Sequence, residues 1–160
     1  MDQDGQEVDL GKLRGKIVVL EWTNPDCPFV QRHYKSKTMT TLADRFRGRD
    51  VVWFAVNSTS YMDATRDREW RTKQGFSYQI LDDSKGVVGG AYGAKTTPHM
   101  FVIGKDGTLV YGGAIDDDPA GANEGAARNY VAEALEEVTT GKAVRVAETK
   151  PYGCSVKYSK

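Results

Sequence analysis

The fold is decided by residues 17–33, IVVLEWTNPDCPFVQRH, where an apolar run meets a polar break and then a second apolar pattern. The run from Ile17 to Leu20 is mostly β-branched, which is typical of a strand covered on both faces. Asn24-Pro25-Asp26 ends that strand. Pro28 suits the first position of a helix, because the N–H that proline lacks would have no partner there. The sequence therefore predicts a buried strand, a turn and a helix, with Cys27 between the turn and the start of the helix.

A cysteine at this junction favours the thiolate form. The first N–H groups of a helix have no partners, and their partial positive charge stabilises an anion. Cysteines at such positions have pKa values of about 3.5–7.5, against about 8.5 for a free thiol. The alternative is a buried structural cysteine. The polar residues before Cys27 and the proline after it favour a reactive thiolate, and a measured pKa near 8.5 would remove that argument.

Composition limits the classes of function. The chain of 160 residues suits one domain, and its 22 basic and 22 acidic residues give no field that would attract nucleic acid or an anionic membrane. It has no 18-residue apolar run and hence no predicted membrane span. Two cysteines are too few for a disulfide framework or a structural zinc site, so we expect no metal and no cofactor.

The N-terminus bears on where the protein works. Residues 1–5 read like the middle of a strand–turn–strand, so we expect an export signal and a first strand that the sequence lacks. This favours a periplasmic or other extracytoplasmic location, with a cytoplasmic one left open.

The rest of the chain alternates strand and helix patterns before a hairpin and a last helix. This order predicts an α/β fold over residues 1–160, with a mixed central sheet, helices on both faces and a tail, 142–160, that carries Cys154. The predicted strands are 51–56, 78–82, 99–103 and 108–111, with a short strand or extended piece at 7–10 and a short strand candidate at 144–146. The predicted helices are 28–46 with a break near 36–38, 63–75, 87–92 and 129–140.

Five segments of the chain carry motifs of one family: 18–30, 94–99, 104–107, 113–117 and 150–156. Together they resemble the thioredoxin superfamily, in its redoxin or peroxiredoxin-like (AhpC/TSA-type) branch. The resemblance covers nearly the whole chain and implies a thioredoxin-like fold.

The resemblance implies a set of site residues around one sulfur. Cys27 takes the place of the first cysteine of the Cys-x-x-Cys pair, and Pro98 that of the cis-proline that faces it. With Thr97–Pro98 in the cis form, the Thr97 backbone can pair with an extended peptide or disulfide beside Cys27. Thr97, Pro28 and Phe29 are thus the expected substrate-binding residues.

Glu21 falls near the buried carboxylate that handles protons in the family. Burial without a partner raises a carboxyl pKa and suits a proton shuttle; the alternative is that strand alternation turns Glu21 to solvent or into a salt bridge. The sequence also departs from the family pattern. Val30 stands where the second cysteine is expected, and Asn24 stands three residues before Cys27, where peroxiredoxins have Thr or Ser.

Other candidates are weaker. Cys154 is expected to form a resolving or structural disulfide with Cys27, to remain free in the tail, or to pair with another molecule. His33 is expected at the surface or at a cap, and a role as a base remains open; the resemblance alone brings His99 near the site. The acidic run 116–118 favours a solvated loop over a cation site.

Three functions follow from these residues. The first is a thiol-disulfide oxidoreductase in which the Cys27 thiolate attacks a disulfide and Cys154 or an external thiol reductant resolves the product. The second is a thiol peroxidase in which peroxide oxidises Cys27 to sulfenic acid. The third is a non-catalytic module that binds an extended peptide beside Pro98. The expected partners of the first two are protein or small-molecule thiols and disulfides.

Overall fold

The computed structural model describes residues 1–123 and 125–160. The predicted loop 114–125 contains Glu124, which lies outside the described residues. The strands are β1 (Ile17–Trp22), β2 (Val51–Asn57), β3 (Gln79–Asp82), β4 (Thr96–Thr97), β5 (His99–Ile103), β6 (Leu109–Gly113) and β7 (Cys154–Ser155). The α-helices are α1 (Pro28–Lys35), α2 (Thr38–Phe46), α3 (Ala64–Gln74), α4 (Val87–Tyr92) and α5 (Tyr130–Thr139), with 3₁₀ turns at Leu10–Leu13 and Arg47–Arg49.

Five strands form one mixed sheet in the order β3-β2-β1-β5-β6. The pairs β1–β2 and β2–β3 are parallel, whereas β5 runs antiparallel to both β1 and β6. The strands β4 and β7 form a separate two-stranded antiparallel sheet. The predicted mixed sheet is confirmed, and β1 is its central strand.

The position of β1 explains its apolar sequence. All six of its residues are buried, because helices or loops cover both faces. Ile17 and Val19 belong to the larger hydrophobic cluster, with residues from α1, α2, α3 and α5. Val18 and Leu20 belong to a second cluster, against which α4 and the first 3₁₀ turn pack. Alternation along β1 thus places Glu21 on the same face as the larger cluster.

Most predicted elements are present, including the break between α1 and α2. The strand alternative for 7–10 and the strand candidate at 144–146 are wrong, since neither forms a strand, although Asp9 has an extended backbone. Residues 10–13 form a 3₁₀ turn with an Asp9 side chain as its cap. In the tail, the backbone bridges to β6 later than predicted, at Glu148 opposite Gly112.

Candidate active site

The site is a pair of sulfur atoms from opposite ends of the chain. The Sγ of Cys27 lies 2.7 Å from the Sγ of Cys154, although 127 positions separate the two residues. Both are free cysteines. A disulfide bond is about 2.05 Å long. The two thiols therefore lie close enough to form a bond after a small movement.

Cys27 occupies the junction that the sequence predicts. It is the N-cap residue of α1, and Pro28 is the first helical residue. Its sulfur also lies 3.1 Å from the carbonyl oxygen of Thr97, the residue before Pro98. The Thr97–Pro98 bond is cis, as the resemblance implies. The fold thus places Cys27 and the Pro98 loop face to face.

The tail reaches Cys27 because it adds a strand to the Pro98 loop. Cys154 pairs with Thr97, and Ser155 pairs with Thr96, in the antiparallel β4–β7 sheet. The next residue continues this contact, since the Val156 N–H donates to the Lys95 carbonyl. The backbone edge of Thr97, which the resemblance assigns to a peptide substrate, is occupied here by the chain's own tail.

Tyr152 holds the tail two residues before Cys154. Its hydroxyl donates to Asp116 at 2.5 Å and lies 3.1 Å from Nε2 of His33. The Arg32 guanidinium donates to the same hydroxyl at 3.3 Å. The Tyr152 ring packs edge-on against Phe29, with 5.9 Å between ring centroids. The tail is therefore anchored on α1 and on the loop after β6.

A second contact region holds the tail beyond Cys154. The Ser60 N–H donates to the Lys157 carbonyl at 2.9 Å. The Tyr158 hydroxyl donates to the Ala94 carbonyl at 2.8 Å. A Cβ on Gly89 would lie 2.5 Å from the Tyr158 hydroxyl oxygen, which shows how closely this ring packs on α4. Anchors on both sides of Cys154 leave its sulfur little freedom to move away from Cys27.

The two thiols differ in acidity. Burial raises the pKa of Cys27, but hydrogen bonding from the Cys154 thiol, the Thr97 side chain and the N–H groups of Val30 and Cys154 together lower it below its ordinary value. Burial, the hydrogen bond to Cys27 and the charge on Cys27 raise the pKa of Cys154 to about 11. Cys27 thus ionises first, and the Cys154 thiol donates to it.

The helix N-terminus is only part of the cause of this acidity. The sequence predicts that it stabilises the thiolate, and the Val30 N–H in the first turn of α1 does lower the pKa of Cys27. Among the groups that lower its pKa, the Cys154 thiol comes first and the Val30 N–H comes after Thr97. The Thr97 hydroxyl is buried and has no hydrogen-bond partner in the described part of the chain. The second cysteine is therefore the main neighbour that stabilises the thiolate.

Glu21 is fully buried on β1, so the alternative that it faces solvent is wrong. Its carboxyl group accepts hydrogen bonds from Tyr34 and Trp53, both at 2.9 Å, and from Tyr78 at 3.4 Å. Burial raises its pKa to about 7, and these three donors lower it in part. The carboxyl group can hold or release a proton near neutrality. Neither sulfur is among its hydrogen-bond partners in the described residues.

The histidines occupy different surroundings. His33 is buried, which corrects the surface assignment, and burial lowers its pKa. The Nδ1 of His99 accepts from the Lys95 N–H at 3.1 Å, and its ring stacks on Phe101, a member of the second hydrophobic cluster. Burial and the positive charge of Lys95 lower the pKa of His99 to about 4. His99 therefore packs against the second cluster, whereas Cys27 belongs to the larger one.

The acidic loop also differs from its prediction. Asp116 and Asp118 are buried, so the solvated-loop assignment is wrong for them. Asp116 accepts from Tyr152, whereas Asp118 accepts from the N–H groups of Ala122 and Asn123. In the part of the chain that the structure describes, no three His, Cys, Asp or Glu side chains form a group that could hold a metal ion.

The remaining predicted contacts lie around the sulfurs. Pro28 is exposed beside Cys27, and Phe29 is half-buried against Tyr152. Sequence reasoning misses Tyr152 and Asp116 as a pair. The only signal is the Tyr-Gly before Cys154, which predicts an aromatic anchor but not its partner.

The family follows from a comparison with known protein families, in which the AhpC/TSA family model matches residues 1–112. The chain belongs to the AhpC/TSA family. The match includes Cys27 and Pro98, whereas the strand that carries Cys154 lies beyond it. Comparison with curated proteins gives no significant match.

Solved structures share the fold over different lengths. An uncharacterised conserved protein from Geobacillus kaustophilus is 25% identical, with a TM-score of 0.86 and coverage of 98% of this chain and 85% of that one. A hypothetical protein from Sinorhizobium meliloti is 23% identical, with a TM-score of 0.83 and coverage of 99% and 88%. A secreted disulfide oxidoreductase from Mycobacterium tuberculosis, homologous to DsbE of E. coli, is 24% identical, with a TM-score of 0.59 and coverage of 68% and 77%. These matches confirm the thioredoxin-like fold.

Proposed function

We propose that this thiol-based redox protein of the AhpC/TSA family is a thiol-disulfide oxidoreductase whose redox pair is Cys27 and Cys154. The observation that carries the proposal is the 2.7 Å separation of the two sulfurs. Val30 stands where the family has its second cysteine, and Cys154 on the tail strand β7 provides the second thiol instead. The protein would cycle between this dithiol and an intramolecular disulfide.

The acidity of the pair supports this cycle. Thiolate, not thiol, is the nucleophile in disulfide exchange. The lowered pKa of Cys27 makes its sulfur the thiolate of the pair. Glu21 is proposed to exchange protons with the buried site, because burial brings its pKa to about 7. In one half of the cycle, two partner thiols lose two electrons and two protons to the protein disulfide and leave as a partner disulfide. In the other half, the protein dithiol passes two electrons and two protons to a second disulfide, which leaves as two thiols.

A thiol peroxidase is the second candidate, and the AhpC/TSA match favours it. Peroxide would oxidise the Cys27 thiolate to sulfenic acid, and Cys154 would condense with it to form the same disulfide and water. Two features of the site disfavour this route. Cys27 is only 2% exposed, and Asn24 stands three residues before it, where the resemblance expects the Thr or Ser of peroxiredoxins.

A peptide-binding module is the third candidate. Pairing of β7 with β4 disfavours it, because the backbone edge that would bind a peptide is already filled. Release of the tail would be needed before any peptide could bind at Thr97. Export from the cytoplasm remains a proposal, and an oxidising compartment would suit a protein that stores a disulfide.

Disulfide mapping tests the proposal. The reduced protein is treated with oxidised glutathione, alkylated under denaturing conditions and digested with trypsin. We expect peptides 17–32 and 146–157 to be joined by a disulfide and both thiols to disappear together. A glutathione adduct that persists on Cys27 while Cys154 stays free would contradict an intramolecular redox pair.

Two assays with the same protein separate the candidates. The oxidoreductase proposal predicts exchange with thiols and disulfides that is lost in Cys154→Ser, with peroxide consumption much slower than exchange. Faster peroxide consumption would favour the peroxidase. Activity in neither assay, with peptide binding that survives Cys27→Ser, would favour the binding module.

A further inference from the structure

The two sulfurs of the pair differ in their access to solvent. Cys27 is 2% exposed and belongs to the larger hydrophobic cluster, together with Val30 and Tyr34. Cys154 is partly exposed and packs at the margin of that cluster. Ser155, which follows Cys154, is exposed. The tail strand thus covers the inner sulfur and presents the outer one.

This difference persists when the disulfide closes. The sulfurs must approach each other by well under 1 Å to pass from 2.7 Å to the length of a disulfide bond. The anchors at Tyr152 and Tyr158 hold the tail on either side of this movement. Cys27 therefore remains the inner sulfur and Cys154 the outer one in the oxidised protein.

Access matters because disulfide exchange has a directional requirement. The attacking thiolate, the attacked sulfur and the leaving sulfur lie nearly in line, and the rate depends on which sulfur can be reached. Cys27 is 2% exposed and belongs to the hydrophobic cluster, so a partner thiolate has little access to its sulfur. Cys154 is partly exposed at the margin of that cluster, so a partner thiolate can reach it from solvent.

Resting on the proposed redox pair, we propose that a partner thiolate reduces the disulfide by attacking Cys154, so that the mixed disulfide forms on the tail strand. A bond forms between the partner sulfur and Sγ of Cys154, and the bond between Cys154 and Cys27 breaks. The electron pair of the broken bond leaves on Cys27 as a thiolate. A second partner thiol then displaces Cys154, which takes up a proton, and the partner leaves as a disulfide.

This assignment reverses the roles that the sequence suggests. By resemblance, Cys27 would meet the partner and Cys154 would resolve the product. In the proposed reaction, Cys154 is the sulfur that meets the partner, and the less exposed Cys27 is the leaving group. The acidity of the pair agrees with this order, since a thiol of lower pKa leaves faster and Cys27 is the more acidic.

The filled edge of β4 points to the kind of partner. No extended segment can pair with Thr97 while β7 occupies that edge. The partner is therefore a thiol that reaches the outer face of β7, such as a small thiol or a cysteine at a protruding turn. The exposed Ser155 and Lys157 border this approach on the tail itself.

The test traps the first mixed disulfide. Oxidised protein is mixed with reduced glutathione, and samples are quenched with acid at the earliest accessible times, alkylated in denaturant and digested. Before glutathione is added, peptides 17–32 and 146–157 should be joined. Afterwards we expect glutathione on peptide 146–157 to exceed that on peptide 17–32 by roughly tenfold or more, because access selects the sulfur.

The unfolded chain provides the control. The same oxidised protein in guanidinium chloride exposes both sulfurs, so the two adducts should form in comparable amounts. A folded-state ratio no greater than the unfolded one, or an excess of adduct on Cys27, overturns the inference and leaves the redox pair intact. Absence of the joined peptides before glutathione is added overturns both proposals.

Discussion

Replacing Glu21 by glutamine should change how the stability of the protein depends on pH. Glu21 is fully buried, and burial raises its pKa from 4.5 to about 7. A carboxyl group whose pKa is raised by folding binds its proton more tightly in the folded state. Its contribution to stability is therefore fully present below pH 4.5 and is lost as the pH rises through 7.

The size of the effect follows from the shift. A difference of about 2.5 pKa units, at about 1.4 kcal/mol each, destabilises the wild type by about 3 kcal/mol at pH 8 relative to pH 4. For a chain of this length, that corresponds to roughly 6–12 °C in Tm. The glutamine side chain of the variant cannot ionise, and its amide can still accept from Trp53 and donate to the Tyr34 oxygen. The variant should therefore lack this loss.

The assay compares wild type with Glu21→Gln by denaturant unfolding of the reduced proteins between about pH 4 and 8, the range that spans the shift. The difference between the two proteins cancels the contribution of other titrating groups to the pH dependence of unfolding. One such group is His99, whose lowered pKa destabilises the fold as the pH falls from 6.5 toward 4. The control is Glu69→Gln, at an exposed position of α3, which should follow the wild type. A constant difference between wild type and Glu21→Gln over this range would refute the reasoning.

Three further changes test the sulfur pair. Cys154→Ala should raise the pKa of Cys27, because its first stabilising donor is lost; the pH dependence of alkylation measures this. Tyr152→Phe removes the hydrogen bond to Asp116, and a hydrogen bond to a charged group is worth about 1.5–3 kcal/mol. Only part of that free energy holds the two sulfurs together, so the equilibrium constant for closing the disulfide should fall by roughly tenfold. The equilibrium with glutathione measures this constant. Gly153→Ala should weaken closure further, because φ is +142° and a Cβ would overlap the carbonyl before Pro98; the same equilibrium reports it.

Each of these changes has a matched control. Cys154→Ser keeps a hydroxyl donor beside Cys27 and should raise the pKa less than Cys154→Ala. Tyr130→Phe removes a hydroxyl that makes no hydrogen bond to the tail among the described residues, and should leave disulfide closure unchanged. Gly141→Ala changes another glycine of positive φ that has open space around it, so it separates backbone strain from the clash at Gly153. Equal effects in a variant and its control would contradict the structural reason given.

Local patterns carry much of the fold. The apolar run of β1, the break after it and Pro28 predict the junction at Cys27, because each depends on neighbouring residues in the chain. The break between α1 and α2 is visible for the same reason. The strand candidate at 144–146 and the strand alternative at 7–10 fail because such short runs have no reliable period.

The site is only half visible in the sequence. The place of Glu21 in an apolar strand suggests that it is buried. The sequence could not exclude that it faces solvent or forms a salt bridge, because it does not show what covers that face of the strand. The anchor between Tyr152 and Asp116 joins two loops that have no shared pattern in sequence. Strands β4 and β7 are two residues each and pair over a long separation, so neither has a periodic signal that could predict it.

The sequence by itself determined that a cysteine stands where a buried strand passes into a helix, and that a second cysteine lies in the tail. Only the tertiary structure decided that the tail pairs with the Pro98 loop, that the two sulfurs meet, and that Cys154 is the outer one. The physical reason is the separation in sequence between the interacting residues. Interactions between near neighbours determine a strand or a helix start, whereas segments distant in sequence pack over a sulfur and determine its access to solvent.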